Sequence, residues 1–415
     1  MNMELQRKID RFVGMFLCGI LSLVPVKERS LKNAPEKILV ILLSEMGSLV
    51  LAHPMFTALR TKYVHAEIHA LVFRQNREIL EILNVIPEKN IHTLENQSLS
   101  AFVKDVIRFL RRMQSINFDA VIDCELFARA SSILSRLSRA PIRVGFHPHS
   151  QEGLYRGSFI NRPVLYNPYH HISKQFMTLV EAMDSKSWPP GKREVSLEDY
   201  DIPRFHIAKE DIAAFSVRVF REFSLPKQKQ LVLLYPSGGV LPIRAWPSDY
   251  YCRLAESLLK DGHAVAIIGM AQDKALAQKI VVHCGSRDCV DLTGYTKTLR
   301  ELMALFHIAS LLITNDGGPG QFAALTPIPT IIFYGPETPV LYSPLGRNAI
   351  IYHLPLSCSP CLTAYNHRNS PCDGENRCLS GIHPEEVYQK AGEILGGKKG
   401  AVKKMEKREY WERNK

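Results

Sequence analysis

The chain has 415 residues, of which 46% are hydrophobic and 22% charged, with a formal net charge of +11. This composition is that of a globular protein and excludes a largely disordered chain. The length exceeds what one hydrophobic core usually supports and predicts two domains. The positive charge favours anionic partners such as nucleotide diphosphates or anionic lipid. Nucleic acid is not predicted as a partner, because the basic residues are scattered outside the C-terminal tail and no recognised nucleic-acid motif is present.

Residues 1–35 form an apolar and basic N-terminal segment. Residues 12–26 carry no charge and lie between Arg11 and Lys27. A helix of that length spans about 22 Å, which is short of the roughly 30 Å of a hydrocarbon core, so it is not predicted to cross a membrane. Three alternatives follow: an in-plane anchor on the inner face of a membrane, a helix packed on the protein itself, or a secretory signal that lacks an evident cleavage site.

From residue 36 onward, apolar runs alternate with segments of helical periodicity. Strands are predicted at 37–43, 67–73, 119–125 and 142–146, and a helix at 101–116. Right-handed crossovers between such units give a parallel sheet. The first domain is therefore predicted to be Rossmann-like and to cover residues 36–184, and the polar, proline-containing residues 185–228 are predicted to be a linker.

The same pattern begins again after the linker. Strands are predicted to start at 231 and to cover 263–269, 289–294, 311–316 and 330–335. They predict a second Rossmann-like domain over residues 229–395, followed by a basic tail at 396–415. The fold class is α/β, with two Rossmann-like domains whose parallel sheets face a central cleft.

A glycine turn joins the strand at 311–316 to a predicted helix. Asp316 is followed by Gly317, Gly318 and Gly320. The first free backbone N–H groups of a helix attract an anion, and glycine lets a phosphate approach because it has no Cβ. Tight turns without a ligand are the alternative for any single glycine cluster. In doubly wound sheets, however, ligands bind at this carboxyl edge.

Residues 311–346, LLITNDGGPGQFAALTPIPTIIFYGPETPVLYSPLG, resemble the NDSGPxHLAxAxGxPTxxxFGPTxPxxxxPxG signature of glycosyltransferase family 9, the bacterial heptosyltransferase-like enzymes. Residues 291–310 resemble the family's LxGxTxLxELxxLxxxAD segment. The segment YPSGG, which is followed by Arg244 and Trp246, resembles the family's string HPGSG, which is followed by a basic residue and Trp-Pro. Tyr235 and Gln321 stand where most members have His. The resemblance implies a GT-B fold and transfer of a sugar from a nucleotide diphosphate.

The resemblance also implies which residues bind the donor. Asp316 matches the family aspartate that contacts the transferred sugar. Arg244 would place a fixed cation near the diphosphate, a task that a metal performs elsewhere, so no metal or other cofactor is expected. Trp246 is predicted to be structural, at the start of a helix. The predicted donor-binding residues are Ser237, Gly238, Arg244, Thr293, Gly294, Asp316, Gly317, Gly318, Gly320 and Gln321.

The turn after the first strand departs from the family. Its members carry Ser-x-x-Gly-Asp there, and that Asp is the expected base for the acceptor hydroxyl. Here the turn runs from Ser44 to Ser48, and Ser48 in the Asp position cannot act as a base on its own. Glu45 is the first replacement predicted and Glu125 the second, although Glu45 could instead only cap the helix. The predicted acceptor-binding residues are Ser44, Gly47, Ser48 and Arg129.

Nine cysteines are present, and four of them, at 358, 361, 372 and 378, form C-x2-C-x10-C-x5-C. A structural zinc site, reduced thiols and disulfides are all open. A similar cysteine-rich segment occurs in many family members, so it supports the resemblance more than it supports a metal.

The sequence thus predicts an inverting, metal-independent glycosyltransferase with a nucleotide-diphosphate sugar as donor. By family analogy it transfers heptose from ADP-heptose to a lipopolysaccharide or other lipid-linked acceptor. The predicted place is the cytoplasm, peripherally on the cytoplasmic leaflet of the inner membrane. The alternatives are a UDP-sugar as donor, a catalytically silent nucleotide-sugar-binding protein, and an epimerase or hydrolase of similar architecture.

Overall fold

Two six-stranded, all-parallel sheets make up the protein. The computed structural model describes residues 8–24, 31, 33–43, 45–126, 128–146, 156–186, 192, 195–196, 203–366 and 368–396. Within these ranges every pairing between neighbouring strands is parallel. The predicted α/β class, with two Rossmann-like halves, is therefore confirmed.

The first sheet has the strand order β3-β2-β1-β4-β5-β6. Its strands are β1 Lys37–Ile41, β2 Glu67–Phe73, β3 Ile91–Leu94, β4 Ala120–Asp123, β5 Ile142–Phe146 and β6 Arg162–Val164. The helices of this half are α1 Met15–Leu23, α2 Met46–Leu51, α3 His53–Lys62, α4 Arg77–Leu83, α5 Leu99–Ile116, α6 Arg129–Leu137 and α7 Ile172–Ala182, with a π-helical turn at Asp10–Gly14 leading into α1.

The second sheet has the order β12-β11-β10-β7-β8-β9, which repeats the first. Its strands are β7 Leu231–Tyr235, β8 Ala264–Ile267, β9 Cys289–Asp291, β10 Leu311–Asn315, β11 Thr330–Tyr334 and β12 Ala349–His353. The helices are α8 Lys209–Glu222, α9 Ser248–Lys260, α10 Lys274–Cys284, α11 Leu299–Ile308, α12 Gly318–Ala323, α13 Pro339–Tyr342, α14 Arg377–Ser380 and α15 Pro384–Gly396.

The central strands are buried on both faces. All residues of β7, β10 and β11 are buried, as parallel strands covered by crossover helices must be. In the first half, the right-handed crossovers place α5 and α6 on one face of the sheet and α3 and α4 on the other. Phe109 of α5 and Leu134 of α6 accordingly share one core cluster with Leu39 and Val121 of the strands.

Each sheet has a point where its connections reverse direction. In the first it lies between β1 and β4, and in the second between β7 and β10. The loops that follow these two strands diverge and leave a crevice at the carboxyl edge, where ligands bind in doubly wound folds. Gly47 of α2 lies against Gln321 of α12, with 3.1 Å between a Cβ built on Gly47 and the Gln321 Cγ. The two crevices therefore face one another across a single cleft.

The N-terminal segment packs on the first domain along a narrow strip. Gly14 and Cys18 are buried, and the Asp10 carboxylate accepts hydrogen bonds from the Arg129 and Ala130 backbone N–H groups at 3.0 and 2.9 Å, which caps α6. The opposite side is apolar and exposed, with Phe16 67% accessible. No helix among the described residues is long and apolar enough to cross a membrane. The packed-helix alternative thus holds for the inner side of α1, and the in-plane anchor stays a prediction about its outer side.

The predicted strands all lie where β1, β2, β4, β5 and β7–β11 are observed. Three edge strands, β3, β6 and β12, were not predicted. The predicted linker, residues 185–228, contains α8, which packs against α11 through the ion pair of Arg218 with Glu301 at 2.6 Å. The domain limits themselves stay a prediction, because part of that stretch lies outside the described residues.

Candidate active site

Two arginines and three carboxylates from both domains meet in the cleft. Arg244 donates from Nη2 to the Glu337 Oε1 at 2.5 Å, and its Nε lies 3.7 Å from the Asp316 Oδ2. Arg368 pairs with Glu45 and also places its Nε 3.3 Å from the same Glu337 oxygen. Only Glu45 comes from the first domain. We name these five residues the cleft charge cluster.

Exposure within the cleft charge cluster increases from the donor side to the acceptor side. The side chains of Glu337, Asp316 and Arg244 are 3, 8 and 11% exposed, whereas Arg368 is 25% and Glu45 50% exposed. Electrostatic interactions are stronger where water is excluded. The second domain therefore supplies a dry, fixed set of charges, and the first supplies a carboxylate that solvent or a ligand can reach.

Asp316 is poised to change its protonation state near neutral pH. The pKa of its carboxyl is raised to about 7, because burial, together with the nearby Glu337 carboxylate, outweighs the lowering effect of Arg244. Its Oδ2 is buried and has no hydrogen-bond partner among the described residues. A carboxyl in this state can donate a hydrogen bond when protonated and accept one when ionised.

Arg244 is a permanent cation in this site. Burial alone would lower the pKa of its guanidinium, but the carboxylates of Asp316 and Glu337 raise that pKa above its ordinary value. Its Nε is also a buried donor without a hydrogen-bond partner in the described part of the chain. The 3.7 Å between this Nε and the Asp316 Oδ2 is longer than a hydrogen bond, so the two buried atoms do not satisfy each other.

The loop after β7 is a tight turn fixed by its neighbour. A Cβ on Gly238 would lie 2.6 Å from the Leu241 carbonyl oxygen, so only glycine fits. The Ser237 hydroxyl donates to the Asp273 Oδ1 at 2.8 Å and accepts from the Gly239 N–H at 3.1 Å. These bonds hold the loop after β7 against the loop after β8, next to Arg244 in the chain.

Thr293 and Gly294 lie at the end of β9. Thr293 donates to the Asp291 Oδ1 from both its backbone N–H, at 2.8 Å, and its hydroxyl, at 2.6 Å. Gly294 has φ +68° and donates from its N–H to the Gly269 carbonyl at 2.8 Å. The loops after β7, β8 and β9 thus form one linked edge, and the structure brings the predicted donor residues of these loops together.

Trp246 is a packing residue, as its sequence context predicted. It is 1% exposed and stacks on Phe333 with ring centroids 4.5 Å apart. Its backbone N–H donates to the Asn315 Oδ1 at 2.9 Å, while the Asn315 amide donates to the Ser237 carbonyl at 3.0 Å. Asn315 therefore ties the end of β10, directly before Asp316, to the Arg244 and Ser237 loops.

The glycine turn divides into two parts. Gly317 and Gly318 lie at the cleft edge, where α12 begins after Asp316. Gly320 is a packing position, because it is buried inside α12 and a Cβ there would lie 3.0 Å from the Ile332 Cδ1 of β11, and its role in donor binding stays a prediction. Its small size lets the helix pack on the sheet.

Gln321 lies where the two domains meet. Its side chain is buried, packs against Gly47, and donates from Nε2 to the Tyr342 carbonyl at 2.7 Å. Its Oε1 is buried without a hydrogen-bond partner among the described residues. In this structure Gln321 lies at the contact between the two domains, and its role in donor binding stays a prediction.

Glu45 precedes α2 but does not cap it. Its backbone is extended and its side chain makes no capping hydrogen bond to the helix. The Glu45 carbonyl instead accepts from the Ser48 N–H at 3.0 Å. The alternative that Glu45 only caps the helix is wrong, and the carboxylate points to Arg368 in the cleft. Gly47 and Ser48 follow in α2, and Ser44 lies outside the described residues.

Glu125 supports the turn from beneath. It is 7% exposed, and its Oε1 accepts from the Leu43 N–H at 2.7 Å, which joins the ends of β1 and β4. Asp123, at the end of β4, accepts from the Glu125 N–H at 3.1 Å and pairs with the buried Arg156. The geometry favours a positioning role for Glu125 and leaves Glu45 as the carboxylate that an acceptor can approach.

Arg129 does not fit its predicted role in acceptor binding. It is 3% exposed and lies beneath the N-terminal segment, where a Cβ on Gly14 would come within 2.9 Å of its side chain. Too little of its surface is exposed for an acceptor to contact. The prediction failed because no local pattern indicates that α1 covers the start of α6.

Glu337 and Arg368 are the site residues that sequence reasoning missed. Glu337 lies in the loop after β11, a loop already placed at the ligand edge, and that position was a usable signal. Arg368 comes from an irregular segment whose Cys361 and Leu362 N–H groups both donate to the Pro336 carbonyl, at 2.9 and 2.8 Å. Arg368 is separated by 323 residues from Glu45, so only the fold shows their contact.

The cysteine-rich segment contains thiols and no disulfide. All nine cysteines of the chain are free thiols. Cys361 Sγ lies 3.0 Å from the Ser370 Oγ, and Cys378 is buried beside Gly335. Within the described ranges, no group of three or more His, Cys, Asp or Glu side chains is arranged to hold a metal ion. The disulfide alternative is wrong for this structure, and the zinc alternative gains no support from it.

Comparison with known proteins identifies a family model and several relatives that match this chain. The sequence model of glycosyltransferase family 9 (heptosyltransferase) matches residues 106–370. Lipooligosaccharide heptosyltransferase 2 of Haemophilus ducreyi is 22% identical over 366 residues, which cover 86% of this chain and 99% of that protein. Lipopolysaccharide heptosyltransferase 2 of Salmonella typhimurium is 27% identical over 179 residues, 42% of this chain, and the match spans about half (49%) of that relative's length.

A solved structure supports the fold. The ADP-heptose lipopolysaccharide heptosyltransferase II of Escherichia coli superposes with a TM-score of 0.66 at 19% sequence identity, covering 86% of this chain and 98% of that one. The two facing Rossmann-like domains are therefore a GT-B fold.

Proposed function

The chain belongs to glycosyltransferase family 9 and is a glycosyltransferase, and on this premise we propose that it moves a heptose from ADP-heptose to a lipopolysaccharide acceptor, with inversion and without a metal. The observation that carries the proposal is the cleft charge cluster, which lies where the ligand edges of the two sheets face each other. A UDP-sugar is the alternative donor.

The second domain has the charges that departure of a nucleotide diphosphate requires. Negative charge grows on the leaving diphosphate as the bond to the anomeric carbon breaks, and a preorganised cation in a dry site stabilises that charge. Arg244 is such a cation, held by Glu337 at 2.5 Å with its Nε not yet hydrogen-bonded. Asp316 lies beside it with a buried free oxygen that suits a sugar hydroxyl.

The first domain has a carboxylate suited to activate the acceptor. In the proposed step the acceptor hydroxyl gives its proton to Glu45 while its oxygen forms a bond to the anomeric carbon. The bond from that carbon to the diphosphate oxygen breaks, and the nucleotide diphosphate leaves with the electron pair. Attack from the Glu45 side and departure on the Arg244 side would invert the anomeric centre.

Arg368 has a positioning role in this scheme. It contacts Glu45 of the first domain and Glu337 of the second, which in turn holds Arg244. The carboxylate that takes the proton and the guanidinium that stabilises the leaving group are therefore linked through two side chains. This link gives the two halves of the reaction a fixed relative position.

The choice of heptose rests on the relatives. The two curated relatives above are heptosyltransferases, and the solved structure is described as an ADP-heptose enzyme. A lipopolysaccharide acceptor is made in contact with a membrane, so the proposed place of the enzyme is the cytoplasm, peripherally on the inner membrane.

The test is nucleotide release by the full-length protein with ADP-heptose, and in parallel with UDP-sugars, with and without a heptose-deficient lipopolysaccharide core. Release of ADP that depends on the acceptor, together with a mass increase of the acceptor by one heptose, supports the proposal. Release without acceptor would indicate a hydrolase. Donor binding without any release would indicate a silent nucleotide-sugar-binding protein, and acceptor-dependent release only from a UDP-sugar would overturn the assigned donor.

A further inference from the structure

An exposed apolar stripe runs along α5. Leu99, Val103 and Ile107 recur at every fourth position and are 48, 46 and 45% exposed. The buried residues Phe109 and Met113 lie on the other side of the same helix. Residues four apart lie on one face of a helix, so the three side chains form a continuous strip that is about half exposed.

Cations accompany this strip. Lys104, Arg108 and Arg111 are exposed and, together with the apolar residues, line a shallow groove of about 840 Å³. Lys104 and Arg111 make no ion pair with any residue in the described ranges, while Arg108 pairs with the buried Asp105. A row of apolar side chains with basic groups beside it is the pattern of a helix that lies in a membrane interface.

The first domain has a second apolar surface, on α1 and the turn before it. The exposed side chains of α1 and of the turn before it include Phe12 at 62%, Phe16 at 67% and Leu23 at 84%. This segment packs on α6, and α5 and α6 cover the same face of the first sheet. α1 therefore packs on a helix that covers the same face of the first sheet as α5.

We propose that α1 and α5 together form a lipid-binding surface whose occupant is an anionic bilayer. The apolar side chains of both helices would enter the interface, and the cations beside the α5 strip would meet lipid phosphates. This inference rests on the proposed function in one respect, namely that lipid binding would bring the enzyme to a lipid-linked acceptor. The binding itself needs neither donor nor acceptor.

The position of this surface fits that purpose. In a parallel sheet the crossover helices begin at the carboxyl edge of the strands, so α5 and α6 both begin at the edge that faces the cleft. Asp10 caps the start of α6, and it places the N-terminal segment near that edge as well. The proposed lipid-binding surface therefore borders the first-domain side of the cleft, where Glu45 lies.

Charge argues against a second copy of this chain as the occupant. In a symmetric pair the same patch faces itself, so Lys104 and Arg111 would approach their own copies in a protein of net charge +11. Anionic lipid removes that repulsion. The surface thus suits an anionic bilayer better than self-association.

The test is flotation of the full-length protein with vesicles of equal parts phosphatidylglycerol and phosphatidylcholine, compared with phosphatidylcholine alone. We expect binding to the anionic vesicles that weakens with salt. Ile107→Glu/Arg111→Glu on α5 and Phe16→Glu/Ile20→Glu on α1 should each weaken it by about tenfold or more, because each cation at the surface contributes about 1 kcal/mol and buried apolar area adds to this.

The matched control is Val217→Glu/Arg221→Glu on α8. It makes the same kind of change at the same spacing on an exposed helix face of the second half, where Val217 is 51% exposed. Vesicle binding of this variant should equal that of the wild type. Thermal unfolding with added ADP shows which variants are folded and keep the nucleotide site.

Wild-type binding by folded α5 and α1 variants would overturn the proposal. So would loss of binding in the α8 control alone. Concentration-dependent dimers that the α5 variant abolishes, without binding of the wild type to either vesicle, would assign the surface to self-association instead. Activity on a soluble, delipidated core acceptor is measured separately, so a failure of the proposed reaction and a failure of lipid binding are distinguishable.

Discussion

The two sites at which the sheets reverse direction differ in how their charged groups are held. In the second domain, the loops after β7, β8 and β9 are linked by hydrogen bonds within the domain, and Arg244 and Asp316 are nearly buried. In the first domain, Glu45 is half exposed, and its carboxylate pairs with Arg368 from the other domain. The proposed donor side is thus built by one domain, whereas the proposed acceptor side depends on a contact between two.

This difference coincides with the departure from the family pattern. The donor side keeps the arginine and the aspartate that the family motifs carry. The acceptor side has Ser48 where a base is expected, and a glutamate three positions earlier that is oriented by Arg368. We infer that loss of the usual base is tolerated because the second domain positions a substitute.

The largest effect is expected for Glu45→Gln. The substitution keeps the shape and a hydrogen bond to Arg368 but cannot accept the proton. General-base catalysis typically contributes 10²- to 10⁴-fold, so kcat should fall by about that factor, with donor affinity almost unchanged. Steady-state kinetics with varied donor measures both values.

Glu125→Gln is its matched control. The amide oxygen of the substituted side chain could still accept from the Leu43 N–H, so the support of the turn would be kept and kcat should change little. A larger loss from Glu125→Gln than from Glu45→Gln would place the base at the end of β4.

Asp316→Asn tests the buried carboxylate of the second domain through the pH dependence of stability. Because burial raises the pKa of Asp316 from 3.8 to about 7, the folded protein holds a proton that the unfolded chain releases. The stability from this group is fully present below about pH 4 and is lost as the pH rises to 7. The Asn variant cannot ionise and does not lose this stability. Its free energy of unfolding, relative to that of the wild type, should therefore rise by up to about 4 kcal/mol between pH 4 and pH 8.

Urea unfolding across that pH range measures the difference. Asp288→Asn, which removes a carboxylate paired with Lys229 elsewhere in the second domain, should not show this rise. A pH-independent difference between wild type and Asp316→Asn would mean that Asp316 is not protonated at neutral pH.

Arg244→Ala should weaken the binding of a nucleotide diphosphate by about 1.5 to 3 kcal/mol, the range for a hydrogen bond to a charged group. Isothermal titration with ADP measures it. Arg253→Ala, at a residue that is 54% exposed and pairs with Glu385 on the surface, is the control and should bind ADP like the wild type. Equal affinity of the Arg244 variant would place the diphosphate elsewhere.

The smallest effect is expected for Arg368→Gln. Ion pairs with an exposed partner contribute about 0.2 to 1 kcal/mol, so kcat should fall by about fivefold at most. If Arg368 acts only through Glu45, the double variant Glu45→Gln/Arg368→Gln should be no slower than Glu45→Gln alone. Additive losses would show that Arg368 has a separate role.

Strands were predictable from the sequence where a fully buried strand consists of a continuous apolar run. β1, β7, β10 and β11 are buried along almost their whole length, and they were all predicted. Three of the four edge strands, β3, β6 and β12, were missed because they are short or only partly buried. β3 reads IHTL, and β12 is only half-buried. Short edge strands are specified by pairing with a neighbour more than by their own pattern.

The site was predictable to the same extent. Arg244 and Asp316 follow strands in recognisable motifs, and they meet because parallel strands end at one edge. Arg368 lies in the polar stretch AYNHRNSP, which has no motif, and its partner Glu45 is in the other domain. The burial of Arg129 and of Gln321 likewise arises from contacts between distant segments, α1 with α6 and α2 with α12. Contacts of this kind leave no local pattern in a single sequence.

The most direct test of the substitute base is recovery of activity in the double variant Glu45→Gln/Ser48→Asp. The second change places a carboxylate at the position where the family carries its base. This position lies in the first turn of α2, three residues after Glu45. We predict that kcat on ADP-heptose and a lipopolysaccharide core rises well above that of Glu45→Gln, while donor affinity stays constant. A double variant as slow as Glu45→Gln, in a folded protein that still binds ADP, would contradict the claim that carboxylates at positions 45 and 48 reach the same acceptor hydroxyl.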